Sequence, residues 1–429
     1  MSISEGSEGA PNRPSLSTRA AWALAIAATA TMAVSYVDRQ ALAVLAPTIT
    51  KRLSISETEF GWLSSAFSIA YLVFAPLAGR FIDRVGARRG LFASVLAWSA
   101  VAAAHALVPG LWTLFTLRVL LGLTEAPSFP AAAQTMARVL PASSRDAGFG
   151  ILFTGSSLGA AFAALLAPWL EAHFGWRLAL AGTALVGLSW VPLWLFVTSS
   201  EAARTAMALR PEPGARAPDS GWAALLSDPA VARAILAVIA CAPINGFILQ
   251  WGAKLLVATH RVPQALVGHY LWLPPLLFDG GAVLFGFLAT LRARASPSSH
   301  APRRGLFAGA SLLAFSITAL GLARTPWETT FVCGVALAGG GGMYALITAD
   351  MLRRVAPRRV AAASGLTAAA QSLAIIVAFP IIGAVVDRTH AYGPIGVGLG
   401  LWMLPGALAW LWWDPVPSNR TLKEPFGPH

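Results

Sequence analysis

The stretch AAWALAIAATATMAVSYVDRQALAVLAP, residues 20–47, is apolar over the length of a membrane-spanning helix except where Asp38 and Arg39 stand side by side. A charge at membrane depth costs about 3 kcal/mol or more, so it survives where it faces a partner or a water-filled cavity. A second apolar segment, LWTLFTLRVLLGLTEAPSFP at residues 111–130, carries Arg118 and Glu125. Their seven-residue spacing puts both on one face of a helix, about two turns apart. Two membrane helices, each with an internal acid and base, point to a polar pathway through a bilayer and therefore to transport.

Composition agrees. Of 429 residues, 56% are hydrophobic and 12% charged, against about a quarter charged in soluble domains, so the chain reads as a polytopic membrane protein. The net charge of +12 does not indicate nucleic acid, because the basic residues fall mostly in short loops between apolar segments, where the positive-inside rule accounts for them. Cys241 and Cys333 both lie in apolar segments and give no disulfide framework, and the seven histidines show no metal-ligand grouping. Gly339 to Gly342 sit within an apolar span instead of a strand-to-helix loop, which argues against a phosphate cradle.

A hydrocarbon core of ~30 Å requires about 20 apolar residues per helix. Such spans fall near 20–47, 58–79, 89–108, 111–138, 147–171 and 176–198, and again near 231–258, 265–290, 305–323, 328–352, 361–386 and 394–413. The expected fold is an all-α membrane protein with twelve transmembrane helices in two six-helix bundles, residues 20–198 and 231–414. Residues 1–19 are expected to be a disordered cytoplasmic tail without a cleavable signal, 199–230 a cytoplasmic linker containing Pro211, Pro213, Gly214 and Pro218, and 415–429 a second tail. Arginines crowd the loops after helices 2, 8 and 10 and the linker, while the alternate loops hold few, so both termini are placed in the cytoplasm. Arg138-Val139-Leu140-Pro141 is echoed by Arg354-Val355-Ala356-Pro357. Related halves fit a transporter better than a polytopic enzyme.

The helix 2–3 loop runs Gly79-Arg80-Phe81-Ile82-Asp83-Arg84-Val85-Gly86-Ala87-Arg88-Arg89. A loop this short needs glycine to turn, and Asp83 can cap a helix end or pair with an arginine in one conformation only; the alternative is a merely basic loop. The spacing of Gly79, Asp83, Arg84, Gly86 and Arg88 resembles the loop signature of the major facilitator superfamily. The matching place in the second half, Gly286 to Arg292, lacks the acid.

Four further stretches resemble the anion:cation symporter family within it: Tyr36-Val37-Asp38-Arg39, Arg118 to Pro130, Gly155-Ser156-Ser157-Leu158-Gly159 and Gly175-Trp176-Arg177. Trp272-Leu273-Pro274 with Asp279-Gly280, Ile347-Thr348-Ala349-Asp350 and Ala363-Ser364-Gly365-Leu366-Thr367 are similar to its bacterial hexuronate branch. The resemblance implies proton-driven uptake of a small organic anion, a hexuronate or related sugar acid, by alternating access between the two halves. It also implies a bacterial inner-membrane setting, no cofactor beyond the proton gradient, and no partner beyond substrate, protons and lipid, with the chain acting as a monomer.

Residue chemistry supplies roles for that reading. Arg39 offers a permanently charged guanidinium fork that suits a carboxylate bidentately; alternatively it only neutralises Asp38 or Glu125. Asp38 and Glu125 can each exist neutral when desolvated, which makes them the proton-carrier candidates, or they form a static network with Arg39 and Arg118. The resemblance assigns Arg118 to gating and coupling. Pro127 and Pro130 predict a kink just beyond Glu125. Lys254 either anchors a second carboxylate or snorkels to the interface. Asp279 is either a coupling acid or part of a tight helix crossing with Gly280 and Gly281. Tyr71, Ser156, Ser364, Thr367 and Gln371 are candidates for sugar hydroxyls or are packing devices. Asp350, followed by Arg353 and Arg354, reads as structural. The competing functions are transport of an aromatic acid or simple monocarboxylate, export of a metabolite, and a polytopic enzyme, for which no nucleophile or metal constellation is found.

Overall fold

Helix α1 (Thr18–Val44) starts where Ser17, in extended backbone, accepts the Ala20 N–H on its hydroxyl at 3.2 Å and satisfies one of the free amides of the first turn. The computed structural model of the chain describes residues 16–208, 225–295, 304–355 and 359–415. The span expected over 20–47 ends at Val44, and a short α2 (Ala46–Arg52) follows, with Pro47 in its first turn, where a missing N–H is harmless. A reciprocal cap between Ser56 and Glu59 opens α3 (Glu57–Val85). Gly86, at φ 85, ends α3 and begins α4 (Ala87–Ala104), a conformation that side chains with a Cβ rarely adopt.

The segment expected as one helix over 111–138 is α5 (Leu111–Glu125) and α6 (Ser128–Val139), interrupted at Ala126 and Pro127 as the prolines predict. Helix α7 (Arg145–Val197) is broken by Gly175 at φ 79, between the two spans expected there. Inside the expected linker stands α8 (Glu201–Ala208), whose Ala203 N–H is capped by the Ser200 hydroxyl. The second half comprises α9 (Pro229–His260), α10 (Gly268–Leu271), α11 (Leu273–Ala295), α12 (Arg304–Phe315) continued by a 3-10 turn Ser316–Leu322, α13 (Pro326–Arg354), α14 (Val360–Thr389) and α15 (Gly393–Trp412). The described residues contain no strand. Most of both expected tails and half of the linker, residues 209–224, lie outside them.

Among the described residues, nine helices are long and apolar enough to cross a membrane, and ten if Glu57–Ala75 and Leu77–Val85, bent by 54°, form one span. One of the nine, Ala147–Val197, has 51 residues, long enough for two crossings on either side of Gly175. Broken at Pro127, α5 and α6, of 15 and 12 residues, are each too short to cross alone. The chain is a polytopic all-α membrane protein, in agreement with the expected twelve crossings.

Most of the hydrogen bonds between the two halves lie at one end, where α1 finishes and α3 starts, while deeper in α3 the Ser65 hydroxyl donates to the Ile376 carbonyl at 3.3 Å. The Asp387 carboxylate accepts the Glu57 and Thr58 N–H groups at 2.9 and 2.8 Å, capping α3 from the other half. Lys254 donates to Glu57 at 2.9 Å and to Thr50 at 2.8 Å, and Gln264 donates to the Val44 carbonyl at 2.7 Å.

Candidate functional site

Three helices of the first half build a charged cluster. Helix α1 supplies Tyr36, Asp38 and Arg39, α3 supplies Phe67 and Tyr71 one turn apart, and α5 supplies Arg118 and Glu125. Gly122 of α5 lets α3 come close: a Cβ there would lie 2.6 Å from the Phe67 carbonyl oxygen. The Arg39 Nε donates to Glu125 Oε2 at 2.7 Å. The same guanidinium carbon lies 4.9 Å from the Tyr36 ring centre, 4.5 Å from Phe67 and 5.3 Å from Tyr71, so three rings hold its plane by cation–π attraction. The Arg39 side chain is 16% exposed and Glu125 0%. What a solute can reach of this pair is the arginine.

The seven-residue spacing put Arg118 and Glu125 on one face, but Glu125 bonds to Arg39 of another helix. Arg118 is buried, stacks 5.5 Å from the Phe67 ring, and leaves Nε and Nη1 without a protein partner. Neither oxygen of the buried Asp38 accepts a hydrogen bond; the indole N–H of Trp98 faces it without forming one. Glu125 Oε1 is likewise unpartnered.

Of the other expected residues, only Tyr71 joins this cluster. Lys254 sits in the latch between the halves, bound to Glu57 and Thr50. Asp279 is half-buried on α11, facing Ser157 of α7. Beside it Gly281 is the packing residue, since a Cβ would lie 1.9 Å from the Ala338 carbonyl oxygen, whereas Gly280 meets nothing. No hydrogen bond or ring contact ties Ser156, Ser364, Thr367 or Gln371 to the cluster; the Thr367 hydroxyl donates to the Ser364 carbonyl of its own helix. Asp350 is ion-paired to Arg354 at 3.1 Å, as its position suggests, and to Arg233 at 2.7 Å.

The helix 2–3 loop is anchored through Gln134, which donates to Asp83 at 3.3 Å and accepts the Ala87 N–H at 3.2 Å. Asp83, Arg84, Gly86 and Arg88 line a cavity of about 340 Å³ together with Arg138 and Arg204. Gly79, Asp83 and Arg84, expected in the loop, lie in the last turns of α3, Gly79 about two turns before the turn itself at Gly86.

Several polar residues with buried, unpartnered side-chain atoms escaped sequence reasoning, among them Asn245, Tyr344 and His105. Asn245 on α9 leaves both side-chain polar atoms unpartnered, as does the Tyr344 hydroxyl on α13 and His105 Nε2 in the turn after α4. A lone Asn beside Pro243 in an apolar helix was the available signal for the first. Among the described residues, no group of three or more His, Cys, Asp or Glu is placed to hold a metal.

The profile of the Major Facilitator Superfamily matches residues 28–298, more than half of the chain. The chain is 31% identical to the hexuronate transporter of Bacillus subtilis over 229 residues, 52% of this chain and 54% of that protein. It is 25% identical to the D-galactonate transporter of Escherichia coli O6:H1 over 401 residues, 89% and 92% of the two chains, and 24% identical to the hexuronate transporter of Escherichia coli K12 over 94% and 96%. A bacterial homologue of the human lysosomal transporter Spinster, solved inward-facing and unoccupied, superposes with a TM-score of 0.74 at 16% identity, over 93% of this chain and all of that one. At that identity the likeness concerns the fold.

Proposed function

Since the chain belongs to the Major Facilitator Superfamily and is a membrane transporter, we propose that it imports a hexuronate or related sugar acid together with protons, by alternating access. The observation that carries this is the Arg39–Glu125 pair, bonded at 2.7 Å inside a cage of three rings with only the arginine reachable. A substrate carboxylate and Glu125 compete for one guanidinium. Protonating Glu125 removes its charge and frees Arg39 for the substrate, so binding of anion and proton favour each other. The sugar-acid class is supported by the relatives, transporters of hexuronate and galactonate, and Tyr71, beside Arg39, can meet the hydroxyls of such a substrate.

In the same reading the latched end faces the periplasm, the loop arginines face the cytoplasm with both termini, the membrane is a bacterial inner membrane, and the structure is the inward-facing state. The two halves are then the rocking bodies of the cycle, with 199–230 as their linker.

Thermal-shift measurement of the purified protein against sugar acids, aromatic acids and simple monocarboxylates tests the substrate class. A true ligand at 100 times its dissociation constant stabilises the folded state by about 2.7 kcal/mol. The expected responders are hexuronates and aldonates. The three rings around Arg39 favour one competing reading, a planar aromatic acid, and a response confined to such acids would establish it.

A further inference from the structure

The first half holds a small cavity on the side of Asp38 and Arg118, which the Arg39–Glu125 pair itself does not line. It is lined by Asp38 of α1, Ala102 of α4, His105 just after it, Arg118 of α5, and Leu180 and Thr183 of α7, among others. The space open to the centre of a water is about 10 Å³, at the lower bound for one ordered molecule. Its lining residues carry five polar atoms with no protein partner: both Asp38 oxygens, His105 Nε2, and Arg118 Nε and Nη1. The three residues are 5%, 3% and 2% exposed. Buried polar atoms are satisfied by protein or by ordered water in the great majority of cases.

Hydrogen-bond chemistry says what fits. His105 Nδ1 lies 2.8 Å from the Val101 carbonyl oxygen. A carbonyl can only accept, so Nδ1 carries the ring proton and Nε2 of the neutral ring is an acceptor. An ionised Asp38 is an acceptor as well, so the two cannot bond directly. A water donates one proton to each and accepts from the Arg118 guanidinium, which gives each of the three residues a partner and leaves one Asp38 oxygen without one.

We propose that this cavity holds one ordered water and that His105, acting through it, relays protons to Asp38. The proposal rests on the reading of the chain as a proton-coupled symporter. In the transfer, the imidazolium gives its Nε2 proton to the water and the water gives one of its own to an Asp38 oxygen. A neutral ring, a carboxylic acid and an unchanged water remain. His105 lies at the latched end, in the turn that follows α4, and in this relay it is recharged from that side. The charged groups at the cavity are Asp38 and Arg118; α7 presents Leu180 and Thr183, whose hydroxyl is committed to the Leu180 carbonyl at 2.9 Å. His105 is thus a positioning and relay residue that never touches substrate.

Two variants separate the relay from a structural role. His105→Gln can still hydrogen-bond a water but carries no proton; Ala102→Val fills the cavity and leaves every titrating group in place. In proteoliposomes with a trapped pH dye and D-galacturonate, or the strongest ligand of the panel above, substrate-driven proton influx should slow by roughly 100-fold in both, the low end of what a positioned proton-transfer group contributes. Exchange of labelled for unlabelled substrate at equal pH should stay within about twofold of wild type, because exchange requires no net proton transfer. Wild-type influx in either variant would overturn the relay. So would parallel loss of influx and exchange in His105→Gln with Ala102→Val unaffected, since the ring would then serve only the fold. A wild-type protein that exchanges substrate but moves no protons would instead overturn the symport reading itself.

Discussion

Arg233 in the C-terminal half and Arg118 in the N-terminal half are both almost wholly buried guanidinium groups, and their surroundings differ atom by atom. Arg233 donates from Nε and Nη2 to the Trp410 carbonyl and from Nη1 to Asp350 at 2.7 Å. Arg354 completes that network, with Nε on Asp350 at 3.1 Å, Nη2 on Asp414 at 2.8 Å and Nη1 on the Pro415 carbonyl. Around Arg118 the pattern reverses: its Nε and Nη1, both Asp38 oxygens and one Glu125 oxygen have no protein partner. A fully satisfied buried network holds one arrangement, here tying α9, α13 and the chain after α15 together. An incompletely satisfied one costs stability in any single state, and that cost is tolerable where the groups must exchange partners and protons. On the function proposed above, the difference separates charge used as a staple from charge used in a transport cycle.

The largest expected effect comes from breaking the staple. Asp350→Ala leaves Arg233 and Arg354 buried without their shared carboxylate, and losing one partner of such a network costs about 3–5 kcal/mol. Melting in detergent should drop accordingly, while exchange per folded molecule stays at the wild-type level. A variant that melts like wild type would erase the contrast.

Next in size is Arg39→Lys, which conserves charge but loses the planar two-point geometry. Substrate affinity should fall roughly 100-fold, about 2.7 kcal/mol, with little change in melting temperature. Wild-type affinity in isothermal titration of the folded variant would exclude Arg39 as the anchor.

The smallest effect is expected at Lys254, in the latch between the halves. Its partner Glu57 is 25% exposed, and partly solvated pairs contribute 1 kcal/mol or less as a rule. Lys254→Met should therefore change substrate affinity by less than about threefold while altering the rate of exchange between conformations. A loss of binding on the Arg39 scale would return Lys254 to the substrate site.

The crossing pattern and the break at Pro127 were legible because hydropathy and the missing proline N–H act locally. The ends of α1 and the helix at Glu201–Ala208 were less so, being set by Pro47 in a first turn and by the Ser200 cap, both short-range signals inside longer patterns. Charge was legible as position and not as partnership. Asp38, Arg39 and Glu125 stood out for their depth, but that Glu125 would bond to Arg39 and not to Arg118, or that Asp387 would cap α3 across the halves, depends on which helices touch. Arg233 and His105 carried no local pattern at all; only the packing of α9 on α15, and of the turn after α4 on α5 and α7, shows what they meet.

Whether the first-half network carries protons is tested most directly by Glu125→Gln, which mimics the permanently protonated acid at nearly equal volume. In proteoliposomes without a gradient, the variant should bind substrate and exchange labelled for unlabelled molecules. With an imposed pH gradient it should fail to accumulate substrate, because glutamine can neither load nor release a proton during the cycle. Gradient-driven accumulation by Glu125→Gln at the wild-type level would contradict the assignment of Glu125 as proton carrier and move that role to Asp38 or Asp279.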